Sequence, residues 1–384
     1  MRFSYRCSRC GREYPITPDR LLCDECSRHH VSEQPLAGIL EVTIEGEAPA
    51  DWEIADLLPV SREWFPSIPV GNTPLWEPER LRRSSGFSKL YLKDDSSNPT
   101  GSLKDRASYL VAAYARREGI DRIVVASTGN AGSSMCGVGA AAGLEVRLYL
   151  PGAAPAAKLV QSLQYGAEVI QVDGTYDEAS AEAMAYLEEH GGLSRNTGHN
   201  PLTIEGKKTV SLEIFRQLGG RVPDYVYVPT GDGVIASGVF KGFEDLVSLV
   251  LADRMPTVVI VQAEGSCSIS RAVEHGGFGK PQPSDTVADS ISVDVPAAGL
   301  FVLERIKRHE AKTMTVSDAA ILAAQTELAS GSGLFVEPAA AAAWAGFSFH
   351  ASQGEVSREA TVVVLATGSG LKDIDTAKKG VNIR

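Results

Sequence analysis

Four cysteines near the start of the chain have the spacing of a metal site. They are Cys7, Cys10, Cys23 and Cys26, and they read C-x2-C-x12-C-x2-C. Two pairs of thiolates, each on a tight turn, can surround a structural Zn2+ ion tetrahedrally. Since four thiolates leave no position open for a substrate, the predicted zinc ribbon has no catalytic role. The alternative is a remnant cysteine pattern that holds no metal.

Lys104 lies in a stretch that could present a nucleophilic amine, where residues 98–106 read N-P-T-G-S-L-K-D-R. Ser102 and Asp105 have the spacing of a capping box, which predicts a helix over 103–118. Lys104 then lies in the first turn, where the positive end of the helix dipole makes an ammonium easier to deprotonate. Such an amine could form a Schiff base. The local sequence alone favours the alternative, an exposed lysine at the start of a helix.

Two polar turns follow apolar runs and could bind anions. The first consists of Ser127, Thr128, Gly129 and Asn130. Its backbone N–H groups and hydroxyls suit a carboxylate or a phosphate, although an ordinary helix N-cap would use the same residues.

The second turn consists of Gly231, Asp232, Gly233 and Val234 and matches the start of a G-x-G-x-x-A pattern. A dinucleotide site needs an acidic residue about 20 positions later. The next predicted strand ends only near Glu264. A phosphate cradle therefore fits this turn better than a dinucleotide site.

These turns lie between alternating strands and helices. The predicted strands are Leu90–Lys93, Ile123–Ser127, Val146–Leu150, Ala167–Val172, Tyr225–Val228, Thr257–Gln262 and Thr361–Leu365. The predicted helices include Ala107–Glu118, Ser133–Ala142, Tyr176–Glu189, Val234–Leu251 and Ala339–His350. Apolar strands that alternate with helices indicate an α/β fold with a parallel sheet covered on both faces. Ligands of such folds bind at the carboxyl ends of strands, which is where these turns lie.

The composition narrows the function classes. The chain has 384 residues, 43% of them apolar, and 37 basic against 48 acidic residues give a formal net charge of −11. An acidic chain without a basic cluster is a poor candidate for binding nucleic acid or anionic membranes. No apolar run approaches the ~20 residues of a membrane helix, and the first residues do not resemble a signal peptide. We therefore expect a cytoplasmic protein with no nucleic-acid or membrane partner.

The motifs together resemble the fold type II pyridoxal-phosphate enzymes, and among these the threonine synthases. The matching segments, in the family's order, are G-N-T-P-L at 71–75, residues 98–106, residues 127–130, the glycine-rich turn at 231–234 and T-G-S-G-L-K-D at 367–373. The resemblance covers nearly all of residues 60–375, and a similar ribbon occurs in some threonine synthase-like sequences. It implies a zinc ribbon at 1–32, a small domain at 101–200, a large cofactor-binding domain at 33–100 and 201–384, and a homodimer.

The resemblance also implies a role for each motif. Lys104 would hold pyridoxal 5'-phosphate covalently and act as a base. Residues 127–130 would bind the carboxylate of an amino-acid substrate, with Asn130 also at the cofactor's ring hydroxyl. Residues 231–234 would bind the cofactor phosphate, and Thr367 would face the pyridine nitrogen as a neutral partner. The implied reaction eliminates phosphate from O-phospho-L-homoserine and adds water to give L-threonine.

The chain departs from this family in its phosphate loop. Threonine synthases usually read G-N-x-G-N there, whereas residues 231–235 read G-D-G-V-I. Because a carboxylate repels a phosphate, we expect the side chain of Asp232 to point away from the loop.

A second departure concerns the substrate phosphate. Residues 196–206 resemble the family's N-S-x-N-P-x-R-x-E-G motif, but Leu202 and Thr203 stand where its arginine is expected. Without that guanidinium a phosphate loses a strong bidentate contact. The candidates to replace it are His199, Lys207 and Lys208.

Two other functions stay open at this stage. A threonine or serine ammonia-lyase, or a β-replacing synthase, would use the same cofactor on a substrate without phosphate, which fits the missing arginine. A cofactor-free or metal-binding scaffold would use the ribbon as its working part and would not need Lys104.

Overall fold

Two units make up the chain in the computed structural model, which describes residues 1–31, 33–152 and 156–381. Unit 1 consists of Met1–His30, Leu36–Gly71 and Asn98–Thr209, and unit 2 of Val31–Pro35, Asn72–Ser97 and Val210–Arg384.

Strands and helices alternate through most of the chain. The strands are β1 (Arg2–Cys7), β2 (Glu13–Tyr14), β3 (Leu40–Glu45), β4 (Leu75–Trp76), β5 (Leu90–Asp94), β6 (Arg122–Ala126), β7 (Glu145–Pro151), β8 (Glu168–Val172), β9 (Leu193–Ser194), β10 (Tyr225–Pro229), β11 (Thr257–Ala263), β12 (Lys312–Val316) and β13 (Val362–Ala366). The α-helices are α1 (Asp24–Ser27), α2 (Glu79–Ser85), α3 (Lys104–Glu118), α4 (Asn130–Ala142), α5 (Ala156–Gln164), α6 (Tyr176–His190), α7 (Leu202–Lys207), α8 (Thr209–Gln217), α9 (Val234–Ser248), α10 (Ser268–His275), α11 (Gly299–Arg308), α12 (Asp318–Ser332), α13 (Pro338–Ser352) and α14 (Ile374–Ala377). Short 3-10 helices are formed by Ile54–Leu57, Arg62–Trp64, Asp95–Ser97, Asp289–Ile291, Gly370–Lys372 and Lys378–Gly380.

Unit 1 contains a small antiparallel sheet and a parallel one. The antiparallel sheet has the order β2-β1-β3 and carries the cysteines, while the parallel sheet has the order β8-β7-β6-β9. Tyr5 and Cys7 of β1 pack into the same hydrophobic cluster as Leu110 and Tyr114 of α3. The core of the antiparallel sheet is therefore continuous with the core that supports Lys104.

Unit 2 is built on a six-stranded sheet with the order β12-β11-β10-β13-β5-β4. All neighbouring strands are parallel except β4, which runs antiparallel to β5. The alanine run Ala339–Ala343 of α13 is buried in the core of this unit, where small side chains let the helix approach its neighbours closely. The two parallel sheets with their helices confirm the predicted α/β class.

No helix in the described ranges is both long enough and apolar enough to span a bilayer.

Candidate active site

Lys104 is the first residue of α3 and is half-buried. The predicted capping box between Ser102 and Asp105 is wrong, because the Asp105 carboxylate pairs with Thr100 instead. It accepts a hydrogen bond from the backbone N–H of Thr100 over 2.8 Å and another from the Thr100 hydroxyl. The carboxylate therefore ties the preceding turn to the helix, and α3 begins at Lys104 rather than at Leu103.

Ser102, two residues before Lys104, carries a hydroxyl that the protein does not satisfy. The side chain is completely buried, and Oγ has no hydrogen-bond partner among the residues that the structure describes. An unsatisfied buried hydroxyl costs about 1–3 kcal/mol. A polar group of a ligand beside Lys104 would remove that cost, so these residues fit a cofactor held at this lysine.

The turn Ser127–Asn130 joins the end of β6 to the start of α4. The Ser127 N–H donates to the Tyr149 carbonyl over 3.0 Å, and the Gly129 N–H donates to Ser127 Oγ over 3.2 Å. A Cβ added at Gly129 would meet no atom within 4 Å. The turn therefore presents the N-terminus of α4 to open space, as an anion site requires.

Arg195 is a residue of this region that sequence reasoning missed. It follows β9, which pairs with β6, and its side chain is completely buried. The guanidinium donates through Nε to Ser108 Oγ over 3.2 Å and through Nη1 to Thr197 Oγ1 over 2.6 Å. Ser108 lies one helical turn after Lys104 on α3, so Arg195 packs on the face of α3 that begins with Lys104. The available signal was an arginine directly before the motif that starts at Asn196.

The three candidates to replace the family's arginine do not offer an accessible cation. Lys207 and Lys208 are completely buried. Lys207 Nζ donates to the Thr203 carbonyl over 3.2 Å, and Lys208 forms an ion pair with Glu205. Burial, with a smaller effect from the charge of a neighbouring histidine, lowers the pKa of His199 and favours its neutral form.

The turn after β10 leads into α9 in unit 2. Gly233 precedes the helix with φ +84°, a left-handed conformation that suits glycine. Asp232 Oδ1 accepts the N–H of Val234 over 2.9 Å. The expectation that Asp232 points away is wrong, because its short carboxylate caps the N-terminus of α9. One amide of the turn is thus already paired before any phosphate binds.

Thr367 follows β13 and is 6% exposed. Because β13 and β10 are parallel neighbours in the sheet, Thr367 and the 231–234 turn lie at the same edge of unit 2. The carboxylate of Glu337, which the sequence reasoning also missed, is buried against Gly368.

The four cysteines of the ribbon come together. Their Sγ atoms all lie within 4.8 Å of one another. The Cys7–Cys26 and Cys10–Cys23 pairs are 3.8 and 3.7 Å apart. Those separations match the ~3.8 Å edge of a tetrahedron with Zn–S bonds of about 2.3 Å.

The thiols show the charge crowding that a divalent cation relieves. Burial and the neighbouring thiols raise the pKa of Cys26 to about 12. Burial also raises the pKa of Cys23, but the Tyr14 hydroxyl and nearby backbone N–H groups outweigh it and lower that pKa to about 6. The Tyr14 hydroxyl lies 3.1 Å from Cys23 Sγ. The donor set fits a Zn2+ ion.

The sequence is similar to those of known proteins. Residues 67–368 match the family model described as pyridoxal-phosphate dependent enzyme. The threonine synthase of Methanosarcina acetivorans is 34% identical, with 97% of this chain and 93% of that protein covered. The threonine synthase of Methanocaldococcus jannaschii is 32% identical over the same shares, and that of Mycobacterium tuberculosis is 34% identical over 84% of this chain and 88% of its own.

Solved structures resemble the fold at lower identity. A processed threonine deaminase isoform from Solanum lycopersicum has a TM-score of 0.71 at 20% identity, covering 89% of this chain and 98% of that chain. An L-serine ammonia-lyase from the fungus Rhizomucor miehei has a TM-score of 0.70 at 21% identity, covering 81% and 97%.

Proposed function

Because the chain belongs to the pyridoxal-phosphate-dependent enzyme family and is similar to threonine synthases over 97% of its length, we propose that it converts O-phospho-L-homoserine and water into L-threonine and phosphate. The observation that carries this proposal is the likeness to archaeal threonine synthases of nearly the same extent, at 34% and 32% identity. The solved structures that resemble the fold, among them two threonine deaminases and an L-serine ammonia-lyase, are 20–24% identical, which supports only the fold.

The residues singled out by the motifs would hold the cofactor. We assign the covalent bond to Lys104, the phosphate to Gly231, Asp232, Gly233 and Val234, the ring hydroxyl to Asn130, and the pyridine nitrogen to Thr367. When bound, pyridoxal phosphate withdraws electrons from the substrate's Cα, which makes protons on the neighbouring carbons removable.

Lys104 Nζ would move the protons. This nitrogen would take the proton from Cα of a bound substrate and return a proton later. The turn formed by Ser127, Thr128, Gly129 and Asn130 would bind the substrate carboxylate at the N-terminus of α4 and so fix the Cα–H bond relative to Lys104. A further proton would be removed from Cβ as phosphate leaves from Cγ; a proton would then be returned at Cγ, and water would add as a hydroxyl at Cβ.

Arg195 would supply the positive charge that Thr203 lacks. Its guanidinium is completely buried, so it would act through Thr197, whose side chain is half-buried. Thr197 Oγ1 accepts a hydrogen bond from Arg195. The hydroxyl can therefore turn its own proton towards a substrate phosphate, and the nearby guanidinium strengthens that donation.

The second candidate function is a threonine or serine ammonia-lyase, or a β-replacing synthase. The specific observation in its favour is Thr203 at the position where the resemblance expects an arginine. These enzymes act on substrates without a phosphate, so they need no such guanidinium.

The remaining roles support either reaction. We propose that residues 1–32 hold one structural Zn2+ through Cys7, Cys10, Cys23 and Cys26. We further propose that residues 101–200 act as the small domain, that residues 33–100 and 201–384 act as the large one, and that the enzyme is a homodimer.

One set of assays separates the two functions. The purified protein, loaded with pyridoxal phosphate, is offered O-phospho-L-homoserine, L-threonine and L-serine in turn. We expect phosphate and threonine in equal amounts from the first substrate and little ammonia from the others. Ammonia and a keto acid from threonine or serine, without phosphate release from O-phosphohomoserine, would replace this proposal with the second candidate.

A further inference from the structure

A cavity of about 250 Å3 in unit 2 is lined by residues that the proposed function does not use. Its walls come from α10, from the loop 277–282 that follows this helix, from residues 294–296, and from residues 33 and 35. Pockets for drug-sized ligands measure about 300–1,000 Å3. The size of this cavity therefore suits a small metabolite rather than a nucleotide.

The segment just after the ribbon forms one side of this cavity. Gln34 Nε2 donates to the Gly279 carbonyl over 3.1 Å. Pro35 packs on the start of α11, where a Cβ added at Gly299 would be 2.9 Å from Pro35 Cγ. These two contacts fix the segment on both sides of the cavity, and Glu33 at its start lines the same space.

Both signs of charge line this cavity without pairing. Arg271 and Lys280 supply two cations, and Glu33 supplies a carboxylate. None of these three has an ion-pair partner among the residues that the structure describes. Arg271 Nη1 donates to Gln282 Oε1 over 2.7 Å, and this neutral partner leaves the charge of the guanidinium uncompensated.

A second carboxylate, that of Asp294, also lines the cavity. Its Oδ1 accepts hydrogen bonds from the N–H and the hydroxyl of Ser284, each over 2.7 Å. With Asp294 included, the formal charges of the two cations and two carboxylates balance. An anion such as free phosphate would therefore meet repulsion as well as attraction, whereas a ligand with separate charges of both signs is complementary to the walls.

We propose that this cavity is a binding site for a free α-amino acid with a small side chain. The ligand's carboxylate lies at Arg271 and Lys280, because a planar guanidinium and an ammonium both donate to carboxylate oxygens. Its ammonium lies at Glu33, which has no other cation to bind among the described residues. His275 completes the polar wall with a ring nitrogen that can bind a hydroxyl on the ligand's side chain.

The test is equilibrium dialysis of the full-length enzyme with radiolabelled L-threonine and, separately, radiolabelled glycine. The enzyme is first loaded with pyridoxal phosphate and reduced with sodium borohydride, so that an added amino acid cannot react with the cofactor. We expect a site that both amino acids fill. Two competitors probe its charges: 3-hydroxybutyrate lacks the ammonium of threonine, and L-threoninol lacks the carboxylate. Each should bind at least about tenfold more weakly than L-threonine, since each loses a charge-assisted contact.

Variants place the site on the cavity. Glu33→Gln and Arg271→Met should each weaken binding by about tenfold for the same reason. The matched controls are Glu359→Gln and Arg83→Met, which change exposed residues outside the cavity and should bind like the parent. The thermal midpoint of each variant controls for folding.

Three results would overturn the proposal. They are a parent enzyme that binds neither amino acid, binding that both cavity variants keep at parental affinity, and 3-hydroxybutyrate that binds as tightly as L-threonine. The first of these needs no variant to fold. The site is separate from the residues assigned to the cofactor, so failure of the proposed function is visible separately, as a cofactor-loaded parent that does not release phosphate from O-phosphohomoserine.

Discussion

Arg195 Nη1 donates to Thr197 Oγ1 over 2.6 Å at the carboxyl end of the parallel sheet of unit 1. This pair gives the chain a guanidinium close to the motif whose own arginine is replaced by Thr203. The charge and the possible substrate contact belong to different residues. Arg195, which carries the charge, is completely buried, whereas Thr197, whose hydroxyl could contact a substrate, is half-buried.

Removal of this charge should weaken binding of a phosphorylated substrate. We predict that Arg195→Met raises KM for O-phosphohomoserine by about tenfold to a hundredfold, since a hydrogen bond to a charged group contributes about 1.5–3 kcal/mol. Arg195→Lys should recover part of the loss. Steady-state kinetics measure the effect, and the thermal midpoint of each variant controls for folding.

Thr197→Val gives a narrower version of the same experiment, because it removes only the hydroxyl. An unchanged KM in both Thr197→Val and Arg195→Met would contradict the assigned phosphate contact.

Loss of metal from the ribbon should destabilise unit 1. Cys7, Cys23 and Cys26 pack in one cluster with Leu110 of α3. We predict about one zinc per chain by elemental analysis, and a thermal midpoint several degrees lower after chelation or in Cys23→Ser, because about 1 kcal/mol shifts it by about 2–4 °C in a chain of this class.

Cys267→Ser is the matched control for the metal site, because Cys267 is a buried thiol outside the cluster. Metal-free protein with four reactive thiols in the ribbon and an unchanged midpoint would rule out the structural role of zinc.

Glu244 should make stability depend on acid pH. Burial alone raises its pKa, but the hydrogen bond from His309 and the charges of Arg305 and Lys241 outweigh burial and lower it to about 2. The stabilisation is therefore present above the unfolded-state value near 4.5 and is lost as the pH falls from there towards 2.

The full contribution is about 3 kcal/mol, at 1.36 kcal/mol for each unit of pKa difference, and about 2 kcal/mol of it should be lost between pH 7 and pH 3. Urea unfolding at pH 7 and at pH 3 measures it, and Glu244→Gln should show a shallower dependence on pH than the parent. Glu359→Gln, at an exposed site, should behave like the parent. Parallel pH profiles for all three proteins would count against the assignment.

Sequence patterns predicted the buried central strands more reliably than the strand at the edge of the sheet. The continuous apolar run of β13 and the strand of β10 were located to within one residue, because buried parallel strands carry little else. Strand β12 was missed, since its sequence Lys-Thr-Met-Thr-Val is mostly polar and half-buried at the edge of the sheet.

The sequence indicated those candidate site residues that belong to a local motif. Lys104 and the 127–130 turn follow from sequence neighbours, and the structure places them at the starts of α3 and α4. Arg195 and Glu337 depend on contacts with residues 87 and 31 positions away, so the position of Arg195 directly before the motif at Asn196 was the one local signal for either. Asp232 was misjudged because repulsion from a phosphate was weighed without the competing hydrogen bond to Val234.

Lys104→Ala should abolish turnover without unfolding the enzyme, because the side chain is half-buried and begins a helix that is anchored by Asp105. The measurement compares kcat and the thermal midpoint of the variant with those of the parent enzyme. A variant that keeps parental activity would remove Lys104 from the mechanism.

The most direct measurement is to reduce the cofactor-loaded enzyme with sodium borohydride, digest it, and find the modified residue by mass spectrometry. The account predicts that the added pyridoxyl-phosphate mass lies on Lys104 and is lost in Lys104→Ala. The same mass on a different lysine, or on none, would contradict it.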